Sequence, residues 1–480
     1  MTRLDGVKLA CLENLERLKV EEPNKRVSLV TFSQDVKFYG DCSTGKPIIG
    51  GKRYSEPKYR RMPMQTQMRA RQTQSTMFNS IIQKASNMFT LATPSKMPLR
   101  SEARLPSESE SESEEEQMDT DENILEDKEK MFKLAERQDG NLKAISESSS
   151  KLLKHIKGMK TEGATALGPG LVFAIGFSGK KSGSQIILCT DGCANVGMGS
   201  LNGYKAKNNN DFYDILAEDA KKREVTVNVI SMEGTDCKLA MLGRVADKTN
   251  GSLEIVNPLN LGEQFKSILK NRIVATNVKA KLIVNKKFLY IRDEELEAAE
   301  AKAIEANDMF KKEELNNARK SVYLKDIGNA NIDTEITFEY GIRKLKEKKE
   351  DKLDDMAFQL QISYTAKDGS KAVRVYTKIQ KFTTDRKEAE KNLEQDLLWM
   401  NAAQKMSSHF LSDNAVVSKY KCRQMKNYQV RRQAKAPTEF MQQQQMVDES
   451  SKHRKLNELD DLQAQQMYSG RKMNRNRMKK

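Results

Sequence analysis

Two periods of apolar residues divide this chain. Leu4, Val7, Cys11, Leu15 and Leu18 share one face of a helix over residues 3–19, which Pro23-Asn24 brings to an end. Residues 27–32 (VSLVTF) form an apolar-rich run of strand length, the pattern of a strand covered on both faces. From residue 141 to about 272, helices and strands alternate. Helical spacing over 145–156 leads into a Gly-rich turn at 161–170 and a helix through Leu171, Ala174 and Ile175. Ile186-Ile187-Leu188-Cys189 then reads as a buried strand that stops at Thr190-Asp191-Gly192. Helices over 211–223, 237–249 and 261–271 are separated by strands over 225–230 and 252–256. Such alternation implies a doubly wound, mostly parallel α/β sheet with helices on both faces.

The pattern changes after residue 275. Strands over 278–284, 288–291, 333–342, 356–365 and 372–382 follow one another without crossover helices, and Asp368-Gly369 supplies a hairpin turn. They predict an antiparallel β-sandwich domain over 275–382. An Ala-, Glu- and Lys-rich stretch over 294–320 reads as a helical insertion in it. Residues 383–411 read as a C-terminal helical segment, with Leu393, Leu397, Met400 and Phe410 as packing positions and Trp399 as an anchor.

Composition changes this picture at two places. Of 480 residues, 83 are basic and 67 acidic, a net charge of +16, and only 38% are hydrophobic against 31% charged. That is a poor ratio for one globule throughout. Residues 51–140 are expected to be a disordered insertion, with a basic Gln- and Met-rich first half and the acidic run SESESESEEEQMDTDE at 107–122 in its second. Residues 412–480, a basic Gln- and Met-rich tail, are expected to be mostly disordered as well. The excess positive charge suits acidic proteins, anionic membrane surfaces or RNA.

Six cysteines without a CxxC, and three histidines, argue against a zinc site. Cys11, Cys189 and Cys237 sit among apolar residues as small core groups, which points to a reducing compartment and a cytoplasmic protein. No signal peptide is evident, and no apolar run approaches the roughly 20 residues of a spanning helix. No GxSxG, HExxH or GxxxxGK[ST] motif is present, the Gly-rich GATALGPG lacks a phosphate-binding lysine, and His155 lies on a Lys-rich helix as a solvated residue. A non-enzymatic protein is expected. Asp191 is the residue that stands out. A carboxylate at the end of a parallel strand faces the crevice where open α/β sheets bind ligands. A turn or helix-cap role competes with that reading.

RVSLVTFSQDVKFYGD (26–41), GATALGPGL (163–171), IILCTDGCANVGMGSL (186–201) and DCKLAMLGRVADKTNGSLEIVNP (236–258) together resemble the von Willebrand factor A (vWA) domain. More narrowly they are similar to its intracellular branch, seen in circularly permuted Ras proteins and in the trunk of vesicle-coat subunits. KDIGNANIDTEITFEYGI (325–342) and FQLQISYTAKDGSKAVRVYTKIQKFTTDRKEAEKN (358–392) extend the likeness into the β-sandwich and the helical segment. The resemblance covers about residues 1–50 and 141–411. It assigns 1–50 and 141–272 to a vWA-like domain.

That resemblance implies a divalent-cation site of the kind called MIDAS, built from an Asp-x-Ser-x-Ser loop, a Thr and an Asp. Thr165 matches the Thr position and Asp191 the Asp position. Hydroxyl, carboxylate and water oxygens suit Mg²⁺, and a partner's acidic side chain fills the open coordination position in such sites. The Asp-x-Ser-x-Ser loop, which precedes the helix matching 3–19, has no counterpart here. An N-terminally truncated sequence is the favoured explanation, ahead of a strand supplied from elsewhere or a degenerate member that has abandoned the metal. Without that loop, Thr165 and Asp191 would hold Mg²⁺ weakly. Loss of the strand before it would leave two apolar sheet edges open. The expected function is a protein–protein interaction scaffold of vWA type. The alternatives are a vesicle-coat-like component at an anionic membrane surface and, resting on charge alone, nucleic-acid binding through the tail, for which aromatic residues are few.

Overall fold

Helix α1 (Arg3–Glu21) opens on a capping box: the Thr2 hydroxyl accepts from Asp5 N, and Thr2 N donates to the Asp5 carboxylate. This is how the chain begins in a computed structural model, which describes residues 2–43, 48–50, 124–202, 211–306, 314–315, 318–343, 355–383, 385–432, 434–450, 452–453 and 455–478. All belong to one unit, Met1–Lys52 with Glu122–Lys480, while Arg53–Asp121 form another. The expected acidic and basic halves of the insertion, up to residue 123, lie outside the described residues.

The parallel sheet is smaller than the sequence pattern implies. β4 (Gln185–Thr190), β5 (Thr226–Met232) and β6 (Leu253–Val256) form a three-stranded parallel sheet in that order. β1 (Leu29–Phe32) belongs to a separate antiparallel sheet with β2 (Val36–Gly40) and β3 (Ile48–Gly50). The expectation of one doubly wound, mostly parallel sheet is therefore corrected. β5 is buried along its whole length. Ile186, Ile187 and Cys189 of β4, and all four residues of β1, are only half-buried. β4 was expected to be a buried strand and is an edge strand. Helices shield its faces, and among the described residues no strand pairs with the side away from β5.

Both faces of the parallel sheet carry helices, as expected. On one, Val227, Val229 and Leu188 pack with α4 (Leu167–Ser178), α5 (Phe212–Lys222) and α6 (Leu239–Lys248). On the other, Ile230 and Met232 pack with Ala10 of α1 and with Leu261, Phe265 and Ile268 of α7 (Leu261–Lys270). Two further helices, α2 (Lys128–Arg137) and α3 (Ile145–Gly158), flank α4 and α1. α2 falls inside the expected insertion, so that boundary is corrected. Its KEKMFKLAER sequence looks polar, yet one face buries Met131, Phe132 and Ala135. Gly176 of α4 lets it approach, since a Cβ there would lie 2.9 Å from Phe132 Cδ1.

Beyond α7 the strands are antiparallel. β7 (Ile273–Val284), β9 (Val322–Asn331), β11 (Met356–Thr365) and β12 (Lys371–Gln380) form a four-stranded sheet in the order β12-β11-β7-β9. β8 (Leu289–Arg292) and β10 (Glu339–Ile342) form a two-stranded ribbon. Leu282, Val284, Leu289, Ile291 and Met356 make a shared core. The β11–β12 hairpin turns at Asp368-Gly369, where Gly369 takes φ +83°. α8 (Glu294–Glu305) sits within the stretch expected to be helical.

The predicted helical segment over 383–411 is two helices, α9 (Arg386–Lys391) and α10 (Gln395–Leu411). The reading of the tail as mostly disordered is corrected too. α11 (Ala415–Arg432), α12 (Thr438–Ser450), α13 (Asp461–Arg471) and α14 (Arg475–Met478) follow, and Cys422, Phe440, Val447, Ala464, Met467 and Tyr468 are buried among them. Scattered Met, Phe and Tyr residues gather on the inner faces, where Trp399 stacks with Phe440 at 4.9 Å. Asp461 accepts from Cys237 N at 2.6 Å and Leu239 N at 2.7 Å, capping a helix α6 whose own N-cap side chain makes no such bond. Tyr468 donates to Ala240 O at 2.9 Å and fills the space that Gly243 leaves open.

Candidate functional site

The loops carrying the two residues singled out by the sequence adjoin at the carboxyl ends of β1 and β4. The turn ahead of α4 is tied to the end of β1 by Ala166 N donating to Ser33 O (2.7 Å). It is tied to the loop after β4 by Thr165 N donating to Asn195 Oδ1 (2.7 Å), while Asn195 N donates back to Thr165 O (3.1 Å). Thr190 Oγ1 donates to Gly192 O, closing the turn that carries Asp191. A Cβ on Gly192 would lie 3.9 Å from Thr165 Oγ1, so the Thr165 hydroxyl adjoins the residue after Asp191. Gly168 permits this junction, because a Cβ there would collide with Met198 O at 2.0 Å. Thr165 is half-buried and Asp191 is exposed.

Asp191 borders an open depression with Thr2, Arg3, Leu4, Lys160 and Thr161. The cations Arg3 and Lys160 were not singled out from the sequence. Arg3 lies one turn before the helical stripe that α1 buries, and its place beside a strand end three-dimensionally has no local signature. Glu162, next in the chain after Thr161, already accepts from Ser33 Oγ (2.7 Å) and pairs with Lys37 (3.1 Å). On the Asp191 loop, burial and the nearby Asp236 carboxylate push the Cys193 thiol up to about 11, so it stays protonated at neutral pH.

This donor set does not fit a divalent cation. A single carboxylate among threonine hydroxyls, with an arginine and a lysine bordering the Asp191 depression, falls short of the several carboxylate oxygens and net negative charge that hard cations need. Among the described residues, no group of three or more His, Cys, Asp or Glu is arranged to hold a metal. His155, expected to be solvated, is half-buried and stacks on Tyr39 at 3.9 Å between ring centroids.

A second polar region is a cavity of about 580 Å³ where β9 and the tail helices meet the lower ends of β5 and β6, with Asn228, Glu294 and Lys325 in its lining. Beside it lies a buried ionic cluster. Glu297 of α8, 3% exposed, receives Lys405 Nζ at 3.0 Å, His409 Nε2 at 3.0 Å and Lys421 Nζ at 2.8 Å. Burial alone would raise the Glu297 carboxyl, but the His409 hydrogen bond and the two ammonium groups outweigh it and hold it well below the usual range.

No family model matches the chain. It is 24% identical over 387 residues to "Circularly permutated Ras protein 1" of Dictyostelium discoideum, a match that covers 80% of this chain and 35% of that protein. The chain thus spans about a third of that relative's length. Among solved structures, the human COPII-coat protein Sec24c aligns with TM-score 0.48 and 13% identity, covering 88% of this chain and 46% of the other. A von Willebrand factor type A protein from Catenulispora acidiphila aligns with TM-score 0.37 and 12% identity, covering 65% and 69%. No helix among the described residues is long and apolar enough to cross a membrane.

Proposed function

We propose that this chain is a non-enzymatic, cytoplasmic protein-interaction scaffold related to the vWA family, with its principal docking surface on the antiparallel sheet. One observation carries the reading. β12 is the outer strand of its sheet, and Val373, Val375, Tyr376 and Ile379 are 64%, 59%, 66% and 66% exposed along it. A ten-residue edge with unpaired outer backbone groups and exposed apolar side chains is suited to partner binding. The rim at Thr165 and Asp191 serves as a second contact, with Asp191 acting as an exposed carboxylate rather than through a bound Mg²⁺. The absence of a nucleophile, metal or phosphate-binding motif from the sequence supports the non-enzymatic reading.

A membrane-surface or nucleic-acid role draws less support, because several of the tail's cations are engaged inside the chain. Lys421 pairs with Glu297 and Glu339, Lys426 with Asp448, Arg432 with Glu390, Arg471 with Asp247, and Arg477 with Glu254. The test is quantitative affinity capture with the full chain, its Val375→Lys variant and its Asp191→Ala variant. Loss of the same partners by at least fivefold in Val375→Lys is expected, with a smaller loss in Asp191→Ala. Identical partner sets for all three would reject the scaffold reading.

A further inference from the structure

The polar cavity of about 580 Å³ lies at the amino-terminal ends of β4, β5 and β6, at the opposite end of the parallel sheet from Thr165 and Asp191. Three parts of the chain wall it: Thr226, Asn228 and Asp247 of the α/β half, Lys325 of β9, and Arg471 and Lys472 at the end of α13. Its volume is that of a small-molecule site, but its lining is not the apolar one such sites usually have. Ile268, Ile327 and Ile336 are the apolar side chains in it, and among the described residues no aromatic ring lines it. Asn, Gln, Ser and Thr make up most of the uncharged lining. A planar base would find no ring to stack on, whereas a ligand rich in hydroxyl groups would find donors and acceptors.

The charges are not balanced. Lys325 shares a face of β9 with Tyr323, which packs into the core of the antiparallel strands. Among the described residues, no hydrogen bond or ion pair holds the Lys325 ammonium group. The charges around it are Glu294, Arg471, Lys405 and Asp247. Lys405 is already bonded to Glu297. Arg471 pairs with Asp247 at 2.7 Å and keeps 39% of its side chain accessible, and Lys472 lies 3.9 Å from the same carboxylate. Glu294 accepts from Ser408 Oγ at 2.6 Å. Lys325, Arg471 and Lys472 thus face two carboxylates, Asp247 and Glu294, which leaves one positive charge in excess. Burial, with Arg471 and Lys405, lowers Lys325 despite Glu294. Burial, with Arg471 and Arg477, brings Lys472 down to about 8 despite Asp247.

We propose that this cavity binds a small phosphorylated polyol, with its phosphate against Lys325, Arg471 and Lys472 and its hydroxyl groups against Glu294 and the amide and hydroxyl side chains of the lining. A phosphate monoester brings close to two negative charges and three acceptor oxygens. It supplies the partner that Lys325 lacks and takes up the spare donors of the Arg471 guanidinium. Glu294 accepts hydroxyl protons and repels a bare phosphate, so the site prefers the ester to the free ion. Because β9, α6 and α13 each contribute, the ligand ties the tail to both halves of the fold.

The experiment is titration calorimetry on the full chain with glycerol 3-phosphate, glucose 6-phosphate and myo-inositol 1-phosphate, against inorganic phosphate and glucose. At least one of the three esters should bind tenfold or more tightly than inorganic phosphate, and glucose should not bind. Lys325→Gln should weaken that ester at least tenfold and leave the melting temperature of the free chain unchanged, since the ammonium group it removes is bonded to nothing there. Lys325→Arg should keep the affinity within threefold. Glu294→Gln should narrow the preference for the ester over inorganic phosphate. The proposal is overturned if no ester binds more tightly than inorganic phosphate, if glucose binds as well as its phosphate, or if Lys325→Gln binds the ester as the wild type does.

Discussion

The apolar strand Gln185–Thr190 and the polar tail from Ala415 to Met478 exchange the places that composition assigns them. QIILCT is among the most hydrophobic stretches of the chain, yet four of its six residues are only half-buried. The tail is rich in Gln, Lys and Arg, yet Phe440, Met467 and Cys422 are completely buried. Burial is set by what neighbouring elements offer, not by the apolar content of a segment. β4 has a strand on one side only. The tail wraps onto α6 and α10 with Cys422, Phe440, Val447, Met467 and Tyr468 buried, while Val416, Val430 and Met441 stay exposed, and several of its cations find carboxylates in earlier parts of the chain.

The largest way to break this comparison is at the tail's centre. Phe440→Ala should cost about 4 kcal/mol in a denaturant melt, as for other fully buried aromatic truncations, and a loss below 1 kcal/mol would return the tail to disorder. Glu297→Gln should cost about 3 kcal/mol, since it leaves Lys405, His409 and Lys421 buried without their common carboxylate. The wild-type protein should show the matching pH dependence. Because the folded-state carboxyl is held below its ordinary value of 4.5, its contribution is complete above that pH and is lost as the pH falls through the folded-state value. Glu297→Gln should flatten the acid limb of the stability profile.

Sharper still is a pair on one face of the parallel sheet, in its central and its edge strand. Ile230→Ala in β5 should cost about 3 kcal/mol, as for a completely buried aliphatic chain. Ile187→Ala in β4 should cost roughly half that because its side chain is only partly covered. Equal costs would mean that β4 is as enclosed as β5. Asp461→Ala, which uncaps α6 from across the tail, should cost about 1 kcal/mol. Arg423→Glu, on an exposed position of α11, should change stability by less than about 0.5 kcal/mol.

Much of the α/β half was legible because each element carries a local signal: the stripe of α1, the apolar run of β5, the Asn250-Gly251 stop after α6. That the loops of Thr165 and Asp191 lie side by side was legible as well, from their places at strand ends. What escaped is non-local. Nothing in VSLVTF says that it will pair with the strand after it rather than join β4. Nothing in KEKMFKLAER separates a packed α2 from the charged run before it except three apolar residues on one face. The tail's order depends on Asp461 reaching α6 and on Tyr468 filling the gap at Gly243, contacts made more than 200 residues apart in the chain. Arg3 and Lys160, which turn the Asp191 rim away from cation binding, likewise come together only in the folded chain.

The opening between β1 and β4 is most directly tested by amide exchange in the free chain. Thr226 N donates to Ser184 O and Val229 N to Ser252 O, so β5 amides alternate between two neighbours and all are bonded. In β4 the same alternation directs Ile186 and Leu188 toward β5 and leaves Ile187 and Cys189 facing the gap. Slow exchange at Ile186, Leu188 and throughout β5, with Ile187 and Cys189 at least a hundredfold faster, is the expected pattern. Protection of Ile187 and Cys189 equal to that of Val229 and Ile230 would show a closed sheet and contradict it.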